Sequence, residues 1–422
     1  MLSWSHRALT ADQAAAFALL STAPGPDIGL PAASCLTGLS PNDTRTLLRG
    51  LEQASLIVQD APGRYRMHDL VRARAAALAP DLPGEVRWAA TRRLLDFYTR
   101  TAHEADRLLH PHRPPVRPGT PEPGVRPHPL PDAPAALAWF DAEHANLLAA
   151  QNASATGGHH QAVWRIAWTL SSFHTRRGHL HDDLAVWQTA LESAGHLPDA
   201  AVRCVIHQHL GVAHADLGHH AEAAEHLHRA LDLAERDHDV VHQGHIRFHL
   251  AWASERRGDF REALEHSRRV LDLATGHDAH PVWRADALNQ VGWHTARLGD
   301  HDAARAHCHA ALALHRRHGN AGGEAHALAN LGYVDHLTGE HERAVDRCRR
   351  AAGLLRRAGD AYHGAGVRDL EGRACAALGR HAEACAAWRE AGELYREQGR
   401  HDDAERVRRQ LEGLGTSSTV VG

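Results

Sequence analysis

The stretch Leu328–Asp360, LANLGYVDHLTGEHERAVDRCRRAAGLLRRAGD, decides the fold. Apolar residues at helical spacing run up to Gly339, with Leu331-Gly332 inside that run. Ala344 follows five residues after Gly339, and a second small residue, Ala351, seven further on. The same arrangement returns around Gly178, Gly218, Gly258, Gly299 and Gly379, so the six glycines stand 40, 40, 41, 40 and 40 residues apart. Five residues past the other glycines come Ala223, Ala263, Ala304 and Ala384, with Asp183 in the first repeat. The later small position holds Ala190, Ala230, Val270, Ala311 and Ala391. A fixed period in this range is the signature of a solenoid, in which each unit buries its apolar face only against its neighbours. Such an architecture builds a surface for binding rather than a reaction centre.

Composition narrows the function classes. Lysine is absent, so all 47 basic residues are arginine, and 39 histidines accompany only 6 phenylalanines and 5 tyrosines. An alanine- and arginine-rich chain without lysine points to a GC-rich genome, and the same bias accounts for most of the histidines. The formal net charge of −4 gives no global attraction to nucleic acid or membranes. Histidine titrates near ~6.5, so mild acid makes the surface cationic. Six cysteines include no CxxC pair and read as small buried thiols in a reducing compartment. No signal peptide and no apolar run near ~18 residues is present, which predicts a cytoplasmic protein.

Ten of the 19 prolines lie between Pro111 and Pro134, a stretch that cannot continue a helix or a sheet ladder and divides the chain. Before it, Thr10 can cap a helix that buries Ala14, Phe17, Ala18 and Leu20. A short helix is expected over Pro31–Thr37. Another, Ser40–Gln53, has Ser40 as N-cap, Pro41 at its first position, and Leu47, Leu48 and Leu51 toward the core. Leu56-Ile57-Val58 and Tyr65-Arg66-Met67 read as two strands around Asp60-Ala61-Pro62-Gly63. This order is the winged-helix arrangement. Helices are expected from Leu70 through Leu78, over Trp88–Leu109 and over Ala135–Ala150, and a last amphipathic helix, Asp402–Leu411, caps the array.

The repeats resemble tetratricopeptide repeats in a lengthened form. Leu210-Gly211, Val291-Gly292 and Leu331-Gly332 stand at the family's Leu-Gly place, with Ala251 and Gly372 as variants. Short side chains there let paired helices cross closely. The resemblance implies that the first helix of each pair lines the concave face. Trp252, Trp293 and Tyr333 follow the small position on that face, with Phe248, Asn289 and Asn330 near them and Arg256 and Arg297 interleaved. Rings, amides and guanidinium groups in one strip suit a peptide or protein ligand.

The stretches LSWSHRAL at the start, GRYRMHDLVRARA, and ALAWFDAEHANLLAA resemble the parts that follow the nucleotide-binding core in NB-ARC (STAND) regulators. The likeness is greatest to the actinobacterial SARP-type group. It covers Leu2 to about Leu411 and implies a sensor that relays ligand binding to a nucleotide-binding or DNA-binding partner subunit. It also implies that His68 of Met67-His68-Asp69 stands at the family's ADP-contacting position. The family's phosphate loop ends in Gly-Lys-Ser/Thr, and a chain without lysine cannot supply one. The chain by itself is therefore expected to bind neither ADP nor ATP, and no cofactor is expected.

Direct DNA binding through Ser40–Gln53 is the alternative function. That helix balances Arg45 and Arg49 against Asp43 and Glu52, and the wing turn adds only Arg64 and Arg66, so it is disfavoured. His307-Cys308-His309, His159-His160 and His219-His220 lack partners at zinc-site spacing, so no metal is expected. Neither GxSxG nor a paired-carboxylate or Cys/His constellation is present, so no catalytic residues and no enzyme activity are expected.

The expectation is thus an all-α chain, a right-handed tetratricopeptide-repeat superhelix with a small N-terminal winged-helix domain. Residues 1–80 form the winged helix with the MHD motif, 81–110 a connecting helix and 111–134 a proline-rich linker. Residues 135–415 form the solenoid of six repeats with its capping helix, and 416–422 a disordered tail. Its expected function is a non-enzymatic, regulatory protein–protein interaction scaffold.

Overall fold

The computed structural model describes residues 9–276 and 281–418, apart from 112, 114, 115 and 117. The stretch LSWSHRAL lies outside the described residues except for Leu9, as does the tail beyond residue 418. The chain divides into two compact units, Met1–Phe173 and His174–Gly422.

In the first unit α1 spans Ala11–Leu20. Thr10 caps it by accepting from the Gln13 amide, and the Gln13 side chain accepts in return from the Thr10 amide. Phe17 is wholly buried beneath it. A strand β1, Ile28–Gly29, leads into α2, Leu30–Thr37, and then α3, Pro41–Gln53, capped by Ser40. Leu47, Leu48 and Leu51 are buried as their spacing requires. The hairpin strands are β2, Val58–Ala61, and β3, Arg64–Arg66. Leu56 and Ile57 precede the ladder, packed into the core from a turn, because burial and not backbone pairing sets their place. Sequence reading missed β1, which is two residues long and pairs Ile28 with Tyr65, giving the sheet order β1-β3-β2.

The helix α4, Asp69–Ala76, a 3₁₀ turn at Ala79–Asp81, and the long α5, Gly84–Leu109, follow. Leu94, Leu95, Phe97 and Tyr98 face the core, whereas Trp88 stays 55% exposed with the Arg92 guanidinium 4.3 Å from its ring centre. The proline-rich stretch is an irregular crossover laid along α5. Asp96 accepts from the Glu122 amide, Arg92 pairs with Glu122, Arg100 donates to the Gly119 carbonyl, and Thr101 accepts from the His128 amide. Helix α6 runs over Ala133–Thr156, longer than expected because Gln151 and Ser154 find buried carbonyl partners. It packs against α5, so it belongs to the first compact unit, and the division falls inside α7, His160–Arg177.

One polar network joins the hairpin to α6. Arg64 grips Asp27 through two parallel bonds of 2.9 and 2.6 Å and reaches Glu143 at 2.7 Å. Asn146 donates to both carboxylates. Two of the stretches that carried the family resemblance are thus physically tied together.

The second unit is the repeat array: α8, Leu180–Ala194; α9, Ala200–Asp216; α10, His220–Arg236; α11, Val240–Arg256; α12, Phe260–Gly276; α13, Pro281–Arg297; α14, His301–Arg317; α15, Ala321–Leu337; α16, His341–Arg357; α17, Ala361–Ala377; α18, His381–Glu397; and α19, His401–Ser418. Each helix packs on the next in sequence, and the first helices of successive pairs touch as well, α9 with α11, α13 with α15 and α15 with α17. They therefore form the inner layer. The expected small positions hold because nothing larger fits: a Cβ on Gly292 would stand 2.5 Å from Cys308 Sγ, and one on Gly372 2.5 Å from Trp388. Ala223, Ala263, Ala304, Ala344 and Ala384 have no exposure at all. Gly178, Gly218, Gly258, Gly299, Gly339 and Gly379 share a left-handed φ of 73 to 94° at the turn inside each pair. The capping helix reaches Ser418, so residues 416–418 are helical where a disordered tail was expected.

Candidate functional site

The inner layer carries a strip of rings, amides and arginines across α11, α13 and α15. Trp293 and Tyr333 meet with ring centres 4.9 Å apart, and the Arg297 guanidinium lies 4.2 Å from the ring of Phe260, 5.5 Å from Trp293 and 5.8 Å from Tyr333. Asn330 donates to Asn289 at 3.0 Å, and Arg256 lies 5.9 Å from the Trp252 ring. The Phe248 carbonyl accepts from Gln290, while the Phe248 ring packs on His249. Phe248, Trp252, Asn289, Trp293, Asn330 and Tyr333 are all half-buried, and Arg256 and Arg297 are exposed. The rings and amides of the expected strip are thus neither core nor free surface, and its two arginines are exposed. Sequence reading missed Phe260, which starts the second helix of its pair and closes the aromatic cage around Arg297.

A second feature escaped it: the array curls until its ends meet. Arg176 donates to the Ala358 carbonyl at 2.6 Å, and Gly178 lies so close to Gln398 that a Cβ would stand 2.6 Å from its Cγ. Tyr362 donates to Asp216 at 3.1 Å. Arg400 donates to the Tyr362 carbonyl and stacks on its ring at 4.7 Å. The register shows which residues share an edge, but not that this edge meets the far end of the array. Arg176, Asp216, Arg256 and Arg297 each stand two residues before a turn glycine, so they fall on one edge of the inner layer.

Electrostatics along this wall reflect enclosure. Burial pushes the Asp216 carboxyl up to about 7 against the attraction of Arg256. Burial likewise pushes Asp286 up to about 7, although its side chain keeps 42% exposure. Burial pushes His326 down to about 3. Burial alone would raise Asp360, but the His363 ring and amide hold it far below the usual range, and Asp360 in turn overcomes burial to raise His363.

In the first unit His68 is the N-cap of α4, exposed and without a side-chain capping bond, beside an exposed Asp69 and a Leu70 that is 75% exposed. Met67 is buried and lines a shallow recess with Ile28, Ile57, Tyr65 and Arg72. Both arginines of the β2–β3 hairpin are engaged, Arg64 as described and Arg66 with Asp60 at 2.5 Å. Among the described residues no helix is long and apolar enough to cross a membrane.

Comparison with known proteins agrees with the repeat architecture. Residues 202–276 match a family model described as tetratricopeptide repeat, and residues 325–350 and 365–390 match another of the same description. The chain is 33% identical over 322 residues to the regulatory protein AfsR of Streptomyces griseus, an alignment covering 75% of this chain and 28% of that protein. It is 36% identical over 199 residues to AfsR of Streptomyces coelicolor, covering 44% and 19%. The chain thus spans less than a third of the curated relatives it matches. A Rap protein solved in complex with Competence and Sporulation Factor shares the fold, with TM-score 0.50 and 14% identity over 92% of this chain and 98% of that one.

Proposed function

We propose that this tetratricopeptide-repeat homologue of part of the AfsR regulatory proteins is a non-enzymatic sensor that binds a protein or peptide along its inner helices. The observation that carries this reading is the Phe248–Tyr333 strip, where half-buried rings surround an exposed guanidinium and a pair of amides bridges adjacent repeats. Rings and arginine at the centre of a concavity supply most of the binding energy in many interfaces. The relay to a partner would run through the first unit, read as a winged helix with an MHD motif of the NB-ARC (STAND) kind. There the exposed His68, Asp69 and Leu70 offer a docking place for a nucleotide-binding or DNA-binding partner. Direct DNA recognition by this unit is the weaker reading, because Arg64 and Arg66 are already paired and only Arg45 and Arg49 of α3 remain to meet phosphate.

Panning a random phage-displayed peptide library on the purified chain tests the proposal. Selected peptides are expected to bind the wild type with calorimetric affinity that falls at least tenfold in Trp293→Ala and Arg297→Glu, while melting temperatures stay within a few degrees. Peptides that bind both variants as well as the wild type would place the ligand elsewhere.

A further inference from the structure

His326, Asp360 and His363 are separated by 34 and 3 residues, a spacing that no zinc motif uses, yet the packing of α17 against α15 gathers them on the inner layer. One ligating atom from each lies within 4.8 Å of the other two. The His363 Nδ1 stands 2.9 Å from the Asp360 carboxylate, and the rings of His326 and His363 are 4.6 Å apart centre to centre. Donors on one tetrahedral zinc, each at ~2.0–2.1 Å from the metal, stand roughly 3.3 Å from each other. Small side-chain rotations bring these three to that separation. The donor set, two imidazoles and one carboxylate, is one that catalytic and structural zinc sites use.

Helix capping explains only part of the cluster. Asp360 caps α17 by accepting from the His363 amide, and the same pairing recurs three repeats earlier, where Asp239 caps α11 and its carboxylate meets the His242 ring at 2.7 Å. In that copy the register place corresponding to His326 is the buried Val205. His326 is therefore an addition that the cap does not require. Its Nε2 is closed off from solvent and has no hydrogen-bond partner, an arrangement that costs stability unless something occupies the position.

We propose that His326, Asp360 and His363 bind one divalent d-block cation, with zinc as the natural candidate, bridging α15 to α17. With 39 histidines in the chain, weak scattered binding is expected as background. The test must therefore be site-resolved. Metal-stripped full-length chain is titrated with zinc in the presence of nitrilotriacetate, and separately with cobalt(II), whose visible absorption reports low-coordinate nitrogen and oxygen ligation. The wild type is expected to retain one zinc per chain against the chelator and to show the cobalt bands. His326→Gln and Asp360→Asn are expected to weaken zinc at least tenfold and abolish the bands; asparagine keeps the cap. His242→Gln, which disturbs only the duplicate cap, is expected to behave as wild type. Failure of the wild type to retain zinc, or equal retention in His326→Gln, would overturn the proposal, as would equal loss in His242→Gln. Circular dichroism on each variant confirms that a loss of zinc is not a loss of fold.

Discussion

The hydroxyl of Tyr362 donates to the carboxylate of Asp216 at 3.1 Å, joining two inner helices that are 146 residues apart in sequence. Burial raises Asp216 to about 7, with Arg256, Asp183, Tyr362 and His363 facing it. The free carboxyl of the unfolded chain titrates near ~3.9, so between these values the folded state holds the extra proton. The contribution of this group is therefore largest in acid and is lost as pH rises toward 7. Asp216→Asn keeps the acceptor for Tyr362 and removes the titration. Its melting temperature is expected to match the wild type at pH 4 and to exceed it at pH 7.5. An equal difference at both pH values would contradict the assignment.

Arg64 is the only basic group bonded to both Asp27 and Glu143 among the described interactions, and Glu143 is 6% exposed. Replacing Arg64 with methionine leaves two carboxylates facing each other in a poorly solvated place. Breaking one side of such a network costs about 3 kcal/mol. Urea unfolding of Arg64→Met should show the loss, and adding Glu143→Gln should recover part of it.

Gly292 sits 2.5 Å, at a notional Cβ, from Cys308 Sγ and 3.1 Å from the Ala304 carbonyl. Gly292→Ala should cost about 1–3 kcal/mol through overpacking. Because the carbonyl cannot yield, Cys308→Ala in the same chain should restore only a fraction. Chemical denaturation of the single and double variants measures both.

His238 has φ of 52° at a turn between pairs, where the corresponding later turns have Gly319, Gly359 and Gly399 at 65 to 70°. The left-handed conformation costs an L-residue about 1–2 kcal/mol, partly offset by the backbone entropy a glycine loses. His238→Gly is expected to stabilise the array by about 0.5–1 kcal/mol, read as a higher thermal midpoint. An unchanged or lower midpoint would show that the imidazole's surface contacts outweigh the strain.

The helix pairs were legible because close crossing demands short side chains at fixed places. Gly211, Gly292 and Gly332 with Ala223, Ala304 and Ala344 announce the architecture without any homologue. The grouping of the rings was legible for the same reason: once the register is known, Trp252, Trp293 and Tyr333 must share a face. Phe260 was missed because it enters from the other helix of its pair. The meeting of Arg176 with Ala358 and of Asp216 with Tyr362 was not legible, since it depends on the summed rotation of several repeats rather than on any local pattern. His326 looked like one more surface histidine until the stacking of α17 on α15 set it beside Asp360. In the first unit, β1 carried no sequence signal, because two residues are too few to establish an alternation.

Linear repeat proteins usually tolerate gain or loss of a module, since each module speaks only to its neighbours. The contact of Gly178 with Gln398 removes that freedom here, because it exists at a single repeat number. Insertion or deletion of forty residues would leave both rims without their counterpart. Evolution can therefore vary the lining of this array far more easily than its length, and unfolding of either rim should propagate to the other as one cooperative event.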